Sequence, residues 1–443
     1  MKKRVSSILL VCLLTIFMIS GCGAKSDGAK SDETTPDTDQ GSSTEQESGT
    51  EQESAGADSG GSFRIGVLLP LSGANAHEGE VCRNAMQFAA DKINDAGGIK
   101  SLGGKKLELI FGDHTADAQV AITEMERIIL NEKVEALLGP YNSAVGYTTA
   151  QVAEKYGLPY LLNNSVADDI LMKGYKWVFR ANQTSSSNAV DQLKFLKDIS
   201  QEQGKEFKNI ALVYENTEWG ASAAKAIQDL AEPEGFKIVL YESYPANTPD
   251  MTSLVIKLKN SGADVVIPDS YLNDALLFMK TMKEMEVNIP VFAGGGGFTD
   301  PEFIKQAGKN AENMFILMAW STDILAKKEQ WATDYNNEFK EKYGYDFAEI
   351  SSNSYQNVYI LADALERAAS TDPEAIRQAL LETDIKDGEA LINPYVGIKF
   401  GTIRGMENQN IYSQMLVSQV QSGNLRVVWP KAFSPDDVKL IMP

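Results

Sequence analysis

From Phe63 onward, short apolar runs alternate with longer stretches of helical periodicity. This alternation is typical of α/β proteins, in which helices cover both faces of a mostly parallel sheet. A first series of strands and helices ends near Asn182, and a second series of similar size runs to Met318. Long helical segments, predicted at Glu329–Tyr343 and Ser351–Ala369, and a final hairpin, turning at Ser422-Gly423-Asn424, follow. The sequence therefore predicts an α/β protein of two doubly wound parallel-sheet lobes with a cleft between them.

The prediction of two lobes is based on ten expected strands, five in each series. In the first series we expect strands at Phe63–Pro70, Lys106–Gly112, Val134–Gly139, Leu158–Leu162 and Trp177–Arg180. In the second series we expect strands at Asn209–Tyr214, Lys237–Tyr241, Asp264–Pro268, Pro290–Ala293 and Asn313–Met318.

Charge and histidine content narrow the classes of function. The chain has 41 Lys and Arg against 61 Asp and Glu, a net charge of −20. Nucleic-acid binding needs clustered cations that neutralise phosphates, so an acidic chain is a poor partner for DNA or RNA. His77 and His114 are the only histidines, which leaves little material for histidine-based metal sites or catalysis. We expect neither a metal nor a cofactor.

The amino end has the pattern of an export signal. Lys2, Lys3 and Arg4 precede an apolar run from Ile8 to Ile19, which is too short for a membrane span of about 20 residues. Ile19-Ser20-Gly21-Cys22 resembles the lipobox of bacterial lipoproteins, in which cleavage leaves a lipid-modified cysteine as the first residue. The prediction is a signal peptide over residues 1–21 and a lipid on Cys22, which holds the protein at the outer face of the cell membrane. The alternative is an uncleaved anchor with an incidental Cys22.

The remaining cysteines agree with this interpretation. Cys12 leaves with the signal peptide, and Cys82 alone remains in the folded body, so no disulfide can form within the mature chain. Cys82 could be a reactive thiol. Its place in the series Cys82, Met86, Ala89 and Ile93 has the spacing of a buried helix face, however, and favours a packing role.

Residues 22–62 have the composition of a tether. Ten acidic residues stand there against Lys25 and Lys30, and no aromatic residue is present. Such a segment buries too little apolar surface to offset the entropy of ordering. We expect a disordered, self-repelling linker that lets the folded body stand away from the membrane.

Three groups of residues resemble a known family. They are Phe63-Arg64-Ile65-Gly66-Val67-Leu68-Leu69-Pro70-Leu71-Ser72-Gly73, then Ile93-Asn94-Asp95-Ala96-Gly97-Gly98-Ile99, then Leu138-Gly139-Pro140-Tyr141-Asn142-Ser143. In order and spacing they are similar to the leucine/isoleucine/valine-binding family of receptors for ABC transporters, which have the type I periplasmic binding protein fold. Val178-Phe179-Arg180, Tyr244-Pro245 and the closing Gln419-Val420-Gln421-Ser422-Gly423 continue the match nearly to the end of the chain.

The resemblance implies a division into lobes. Such receptors have two lobes joined by three hinge crossings, which here fall near Asn182, Ala319 and Ile403. The first lobe would comprise residues 63–182 and 319–402, and the second lobe residues 183–318 and 403–443. It also implies that a small molecule binds between the lobes, that the lobes close on it, and that the partners are the membrane permease subunits of an ABC importer. We expect a monomer.

In such a fold the ligand site lies outside the carboxyl ends of parallel strands, beside helix amino termini. Tyr141, Asn142 and Ser143 meet this requirement, because they follow a predicted strand and open a helix that can hold a carboxylate. Asn142 or Ser143 could instead simply cap the helix. The resemblance adds a second loop, Asn164-Ser165-Val166, which could also be an ordinary Asx or Ser turn.

The resemblance places two aromatic residues, Trp219 and Tyr271, on the second-lobe side of the cleft. Both follow predicted strands, and together they would form the wall that closes on the ligand. The alternative for each ring is a packing role outside the site.

The expected acidic partner of a ligand ammonium is missing from the sequence, and this departure from the family bears on the ligand. The resemblance places that acid near Gly296, within Gly294-Gly295-Gly296-Gly297. A buried ammonium without a partner is costly, so either the ligand lacks one or another acid replaces the missing one. Glu78 and Asp269 are the candidates; both could equally be solvated charges on the rim.

Function remains open between three classes. His77 lies in the first ligand loop and could donate a hydrogen bond or be merely solvated or packed. His114 has no obvious partner, and we interpret it as a structural residue. The sequence contains no HExxH, paired CxxC, GxSxG or P-loop motif, so a hydrolase on this scaffold is the weakest hypothesis and we expect no enzyme activity. A solute receptor of an importer is the leading prediction, and a sensor that reports ligand to a signalling protein is the alternative.

Overall fold

The structure of the chain, a computed structural model, describes residues 61–442. The predicted signal peptide, Cys22 and almost all of the predicted tether lie outside the described residues. Within residues 61–442, no helix is long and apolar enough to cross a lipid bilayer.

The described residues form strands and α-helices in the predicted alternation. The strands are β1 Phe63–Leu69, β2 Leu107–Asp113, β3 Ala136–Leu138, β4 Tyr160–Leu162, β5 Val178–Arg180, β6 Asn209–Glu215, β7 Lys237–Tyr244, β8 Val265–Asp269, β9 Phe292–Ala293, β10 Phe315–Met318, β11 Asp384–Ile385, β12 Ile398–Ile403, β13 Met406–Asn410, β14 Leu416–Gln421 and β15 Asn424–Trp429. The helices are α1 Ala76–Asp95, α2 Ala118–Glu132, α3 Ser143–Tyr156, α4 Ser185–Gln203, α5 Glu218–Ala231, α6 Thr252–Lys259, α7 Leu272–Glu284, α8 Pro301–Ala307, α9 Gln330–Tyr343, α10 Glu349–Ala368 and α11 Pro373–Leu381.

Local sequence signals explain where several helices begin. The Asp117 carboxylate accepts hydrogen bonds from the backbone N–H groups of Gln119 and Val120 at the start of α2. Thr184 and Ser187 form a reciprocal capping box at the start of α4. On α1, Cys82, Met86, Ala89 and Ile93 are all buried, which confirms the predicted packing face.

The first sheet contains eight strands in the order β11-β12-β13-β5-β4-β3-β1-β2. Strands β1 to β5 pair in parallel, and β12 pairs antiparallel with both β11 and β13. Five of the seven residues of β1 lie in one unbroken buried run, because helices cover both faces of the sheet. Helices α1 and α10 pack together in this half of the molecule, as do α2 and α3.

The second sheet consists of two hydrogen-bonded groups of strands. Strands β7, β6 and β8 pair in parallel, and a second group has the order β15-β14-β10-β9. A parallel bridge between Val266 and Val291 connects the two groups. Strands β14 and β15 run antiparallel, as the predicted terminal hairpin requires. The described chain thus has two α/β halves, as predicted.

The chain passes between the two sheets three times: after β5, after β10 and after β13. The third passage differs from the prediction, which placed it near Ile403 and left the following residues in the second lobe. Strand β13 instead pairs with β12 and, in parallel, with β5 of the first sheet. Arg404 and Gly405, both with positive φ, turn the chain into this hairpin. The chain therefore leaves the first sheet only after Asn410.

Candidate functional site

The carboxyl ends of strands from both sheets face one another across a cleft. From the first sheet, the loops after β3 and β4 reach this cleft, and from the second sheet, the segments after β6, β8 and β9 do so. In open α/β sheets, ligands bind at this edge because helices begin there and present free backbone N–H groups.

The segment Tyr141-Asn142-Ser143 lies between β3 and α3, as predicted. Tyr141 is 5% exposed and lines the cleft. Asn142 takes the N-cap position of α3, but its side chain makes no capping hydrogen bond. Its Nδ2 atom instead donates to Asn75 Oδ1 at 3.0 Å and across the cleft to Tyr271 Oη at 3.3 Å. The side chain of Asn142 therefore links the two sides of the cleft rather than capping its helix.

Ser143 and Ser165 are engaged within the first half of the molecule. The hydroxyl of Ser143 accepts a hydrogen bond from the backbone N–H of Ala167 at 3.3 Å. The hydroxyl of Ser165 donates to the carbonyl oxygens of Pro140 and Asn142 at 3.0 and 3.1 Å. These hydroxyls tie the loops after β3 and β4 to each other. Neither residue lines the cavity described below.

Asn164 and Val166, on either side of Ser165, do line the cavity. The amide of Asn164 donates to the carbonyl oxygen of Ile350 and accepts from Asn353, so α10 holds it in place. Val166 presents an apolar side chain that is 6% exposed. This loop therefore contributes a fixed amide and a methyl surface to the site.

A buried arginine supports the same loop from behind. Arg180, at the end of β5, is fully buried and donates to the carbonyl oxygens of Ser165 and Ala167 at 3.1 and 2.7 Å. Its Nε atom donates to Gln409 Oε1 at 2.6 Å. Burial lowers the pKa of Arg180 to about 10, which leaves the guanidinium charged near neutral pH. The two carbonyls flank Val166, so Arg180 holds the backbone on both sides of this residue.

Three aromatic rings close the cleft. Trp219 lies in the first turn of α5, and Tyr271 occupies the N-cap position of α7. Their ring centroids are 5.0 Å apart, and the ring of Tyr271 lies 5.9 Å from that of Tyr141 on the opposite side. Burial raises the pKa of both tyrosines well above the ordinary value, so both phenols stay protonated. The predicted pair of aromatic residues therefore does meet at the cleft.

The glycines that follow β9 leave space for the side chains of Trp219 and Asp269. Gly296 has a φ of +61°, and a Cβ atom there would lie 2.1 Å from the Trp219 ring. A Cβ on Gly294 would lie 2.0 Å from Asp269 Oδ1. A side chain at Gly296 would therefore displace Trp219, which explains why the acid that the family resemblance placed there has no space in this chain.

The cavity between these groups has a volume of about 30 Å³. It is lined by Tyr141, Asn164, Val166, Gln183, Asn188, Trp219, Tyr271, Gly294, Gly296, Glu349 and Ile350. A cavity of this size has space for about two water molecules. The contacts across the cleft thus leave very little free volume.

The two acids proposed from the sequence lie outside this lining. Glu78 is 1% exposed, and its Oε1 atom lies 3.5 Å from Asn75 Nδ2. Asp269, at the end of β8, is 1% exposed, and its Oδ2 atom has no hydrogen-bond partner among the described residues. Burial raises the pKa of Glu78 to about 7, and burial and the charge of Glu215 raise that of Asp269 to about 8. Neither carboxyl is a solvated rim charge.

Sequence reasoning missed Glu349, the carboxyl that lines the cavity. Glu349 is the first residue of α10, whereas the predicted helix begins at Ser351. Gln183 was also missed, although it directly follows the predicted crossing at Asn182, where a polar side chain is well placed to line the seam between two lobes. Gln183 donates to Glu349 Oε1 at 3.0 Å and accepts from the hydroxyl of Tyr395.

The two histidines differ in role. His77 lies outside the cavity lining, and its Nε2 atom is 3.1 Å from Asp300 Oδ1. His114 is fully buried, and burial lowers its pKa to about 4, in keeping with the predicted structural role. Among residues 61–442, no cluster of three or more His, Cys, Asp or Glu side chains could hold a metal ion.

Comparisons with known proteins agree with this architecture. Residues 62–424 match the family described as periplasmic binding protein. A Leu/Ile/Val-binding protein homolog 8 from Brucella melitensis biotype 1 is 33% identical over 374 residues, which cover 83% of this chain and 90% of that protein. The chain therefore belongs to the periplasmic binding protein family and is a relative of its Leu/Ile/Val-binding protein homologues.

Solved structures have the same fold. The branched-chain amino acid transporter substrate-binding protein LivJ from Streptococcus pneumoniae, in complex with isoleucine, superimposes with a TM-score of 0.70 at 22% identity, over 83% of this chain and 100% of LivJ. A solute-binding protein of an ABC transporter from R. palustris, in complex with benzoate, has a TM-score of 0.71 at 16% identity, over 83% of this chain and 96% of that protein. Both confirm the predicted type I periplasmic binding protein fold.

Proposed function

We propose that this chain is the solute-binding lipoprotein of an ABC importer. It binds a small carboxylate with an apolar body in the cleft and presents it to the permease subunits. The observation that carries the proposal is the cavity itself, in which Tyr141, the residue before the N-cap of α3, faces Trp219 and Tyr271 from the second sheet.

The chemistry of the lining supports this class of ligand. The residues from 61 to 442 that line the cavity include no lysine or arginine, so a ligand carboxylate would be held by the N-terminus of α3 and by neutral donors. The aromatic rings and Val166 would enclose an apolar body. Isoleucine and benzoate, bound by the two proteins of the same fold, share a carboxylate and an apolar body, and branched-chain amino acids are the default for the family.

We assign the ligand contacts to residues on both sides of the cleft. Tyr141, Asn164 and Val166 act from the first lobe, and Trp219 and Tyr271 act from the second. The first lobe comprises residues 63–182 and 319–410, and the second comprises residues 183–318 and 411–442. The cavity volume of about 30 Å³ is far below the roughly 300–1,000 Å³ of ordinary ligand pockets, so the lobes must separate to admit a ligand and close on it afterwards.

A thermal-shift screen tests the proposal. The folded protein would be challenged with the twenty amino acids, with aromatic and aliphatic acids that lack an amine, and with sugars and nucleosides. A ligand present at 100 times its dissociation constant stabilises a protein by about 2.7 kcal/mol, which is readily visible as an increase in Tm. Stabilisation by sugars or nucleosides alone, with no response to any carboxylate, would contradict the proposed ligand class.

A further inference from the structure

One carboxyl group faces the cavity, and it comes from neither sheet edge. Glu349 begins α10 and is 5% exposed. Of the described residues that line the cavity, it is the one that carries a carboxyl group. Any ligand that fills the cavity therefore meets this group.

The position of the Glu349 carboxyl is determined by two hydrogen bonds. Oε2 accepts from the backbone N–H of Ala319 at 2.8 Å, and Oε1 accepts from Gln183 Nε2 at 3.0 Å. Both donors lie where the chain passes between the two sheets. Each oxygen of an ionised carboxylate can accept a further hydrogen bond, so the group can still receive a ligand donor.

The carboxyl group also faces the glycine loop of the opposite half. A Cβ atom on Gly295 would lie 3.8 Å from Glu349 Oε1. The loop that has no space for an acid at Gly296 therefore lies next to an acid supplied by α10. Asp269, the competing acid, lies behind Gly294 and does not line the cavity.

Burial makes this carboxyl responsive to a cation. It raises the pKa of Glu349 to about 7, partly opposed by the hydrogen bonds from Ala319 and Gln183. A positive charge placed against the group favours its ionised form. A neutral or anionic group placed there would leave the carboxylate unpaired or force it to take up a proton.

Resting on the proposed function, we propose that Glu349 is a specificity-determining residue that receives the cationic nitrogen of the ligand. The site then selects a zwitterionic amino acid over a carboxylic acid of the same shape that lacks the amine. The ligand carboxylate lies at the other pole, where the N-terminus of α3 is available, and the apolar side chain lies among the rings.

The experiment compares L-leucine with 4-methylpentanoate, which is leucine without its amine, by titration calorimetry at about pH 8. The wild-type protein should bind leucine at least about tenfold more tightly. The variant Glu349→Gln keeps the shape of the side chain and an acceptor for the N–H of Ala319. It should lower the affinity for leucine about tenfold or more and change the affinity for 4-methylpentanoate by less than about threefold. Thermal melts establish that the variant is folded. Asp269→Asn is the matched control, since it neutralises a buried acid outside the cavity lining and should leave the leucine preference intact.

The following outcomes would contradict the assignment of Glu349 or the proposed function. If Glu349→Gln binds leucine as tightly as the wild type does, the assignment is wrong. The assignment is also wrong if Asp269→Asn abolishes the preference for leucine over 4-methylpentanoate. If Glu349→Gln does not fold, wild-type protein that binds 4-methylpentanoate as tightly as leucine overturns the assignment by itself. Wild-type protein that binds no amino acid and no carboxylate overturns the proposed function first, and the assignment with it.

Discussion

The imidazole Nε2 of His77 lies 3.1 Å from Oδ1 of Asp300, a contact that connects the first turn of α1 to the N-cap residue of α8 and becomes an ion pair when His77 is protonated. The hydrogen bond to Asp300 is the main reason that the pKa of His77 is raised, with smaller contributions from the charges of Glu78 and Glu302. A raised histidine pKa means that the contact stabilises this arrangement below that pKa and loses its effect as the pH rises through it. The pair therefore links protonation to the approach of the two halves.

The first prediction concerns this pair. Raising the pH from about 6 to about 8 should shift the ligand-free protein toward a more open form, seen as a larger radius of gyration in solution scattering. His77→Gln should remove most of that change. If the pH dependence persists in His77→Gln, His77 is not the responsible group, and Glu78 and Glu349 are the next to test, because both have a pKa of about 7.

The second prediction concerns the aromatic wall. Trp219→Ala or Tyr271→Ala should weaken ligand binding by about 1–3 kcal/mol, because each removes a buried ring. The loss should appear mainly as faster dissociation in stopped-flow measurements, since these rings contact the ligand only after closure. Tyr241→Ala, which removes an aromatic residue of the second sheet outside the cavity lining, should leave the dissociation rate unchanged. If both cleft variants release the ligand at the wild-type rate, the two rings have only a packing role.

The third prediction concerns the support behind the ligand loop. Arg180→Met would leave the carbonyls of Ser165 and Ala167 and the amide oxygen of Gln409 without this buried donor. Each buried acceptor left unpaired costs about 1–3 kcal/mol, so we expect a loss of roughly 3 kcal/mol or more in denaturant unfolding, together with weaker ligand binding. Exposed Arg127→Met is the control for loss of charge alone, and a similar effect of both would contradict the prediction.

The fourth prediction uses the buried Asp269. Its folded-state pKa of about 8 lies above the ordinary value of 3.8, so the unfolded chain loses this proton first and stability falls as the pH rises through that window. Asp269→Asn removes this penalty and should stabilise the protein by about 2 kcal/mol or more at about pH 8, with the difference fading toward about pH 4. Thermal melts across this range, with exposed Asp229→Asn as control, measure it. A constant difference at all pH values would exclude titration of Asp269 as the cause.

The fifth prediction concerns anchoring. Because Cys22 completes the pattern Ile19-Ser20-Gly21-Cys22, Cys22→Ser should abolish acyl labelling and either release the protein from the membrane or leave the precursor uncleaved. Cys82→Ser should have no such effect, since Cys82 is buried in α1. Undiminished labelling of Cys22→Ser would disprove the lipid attachment.

The sequence by itself determined the fold and the place of the site. The alternation of apolar runs and helical periods is a local signal, and it located β1, β6 and β8 and the loops that follow them. Tyr141, Trp219 and Tyr271 could be found for the same reason, since each follows a strand end and therefore lies at the edge where a parallel sheet binds ligands.

Tertiary structure alone decided the rest. The polar strand β13 has no apolar period; its place in the first sheet depends on long-range contacts, such as the Gln409 Nε2 hydrogen bond to the carbonyl oxygen of Asn182. Glu349 enters the cavity only because the first turn of α10 lies beside the crossings at Gln183 and Ala319, far along the chain from the loops it faces. Ser165, a predicted ligand residue, gives its hydroxyl to backbone carbonyls instead. Residue spacing does not encode which of several partners a polar side chain will meet, because only the packed lobes bring those partners within hydrogen-bond distance.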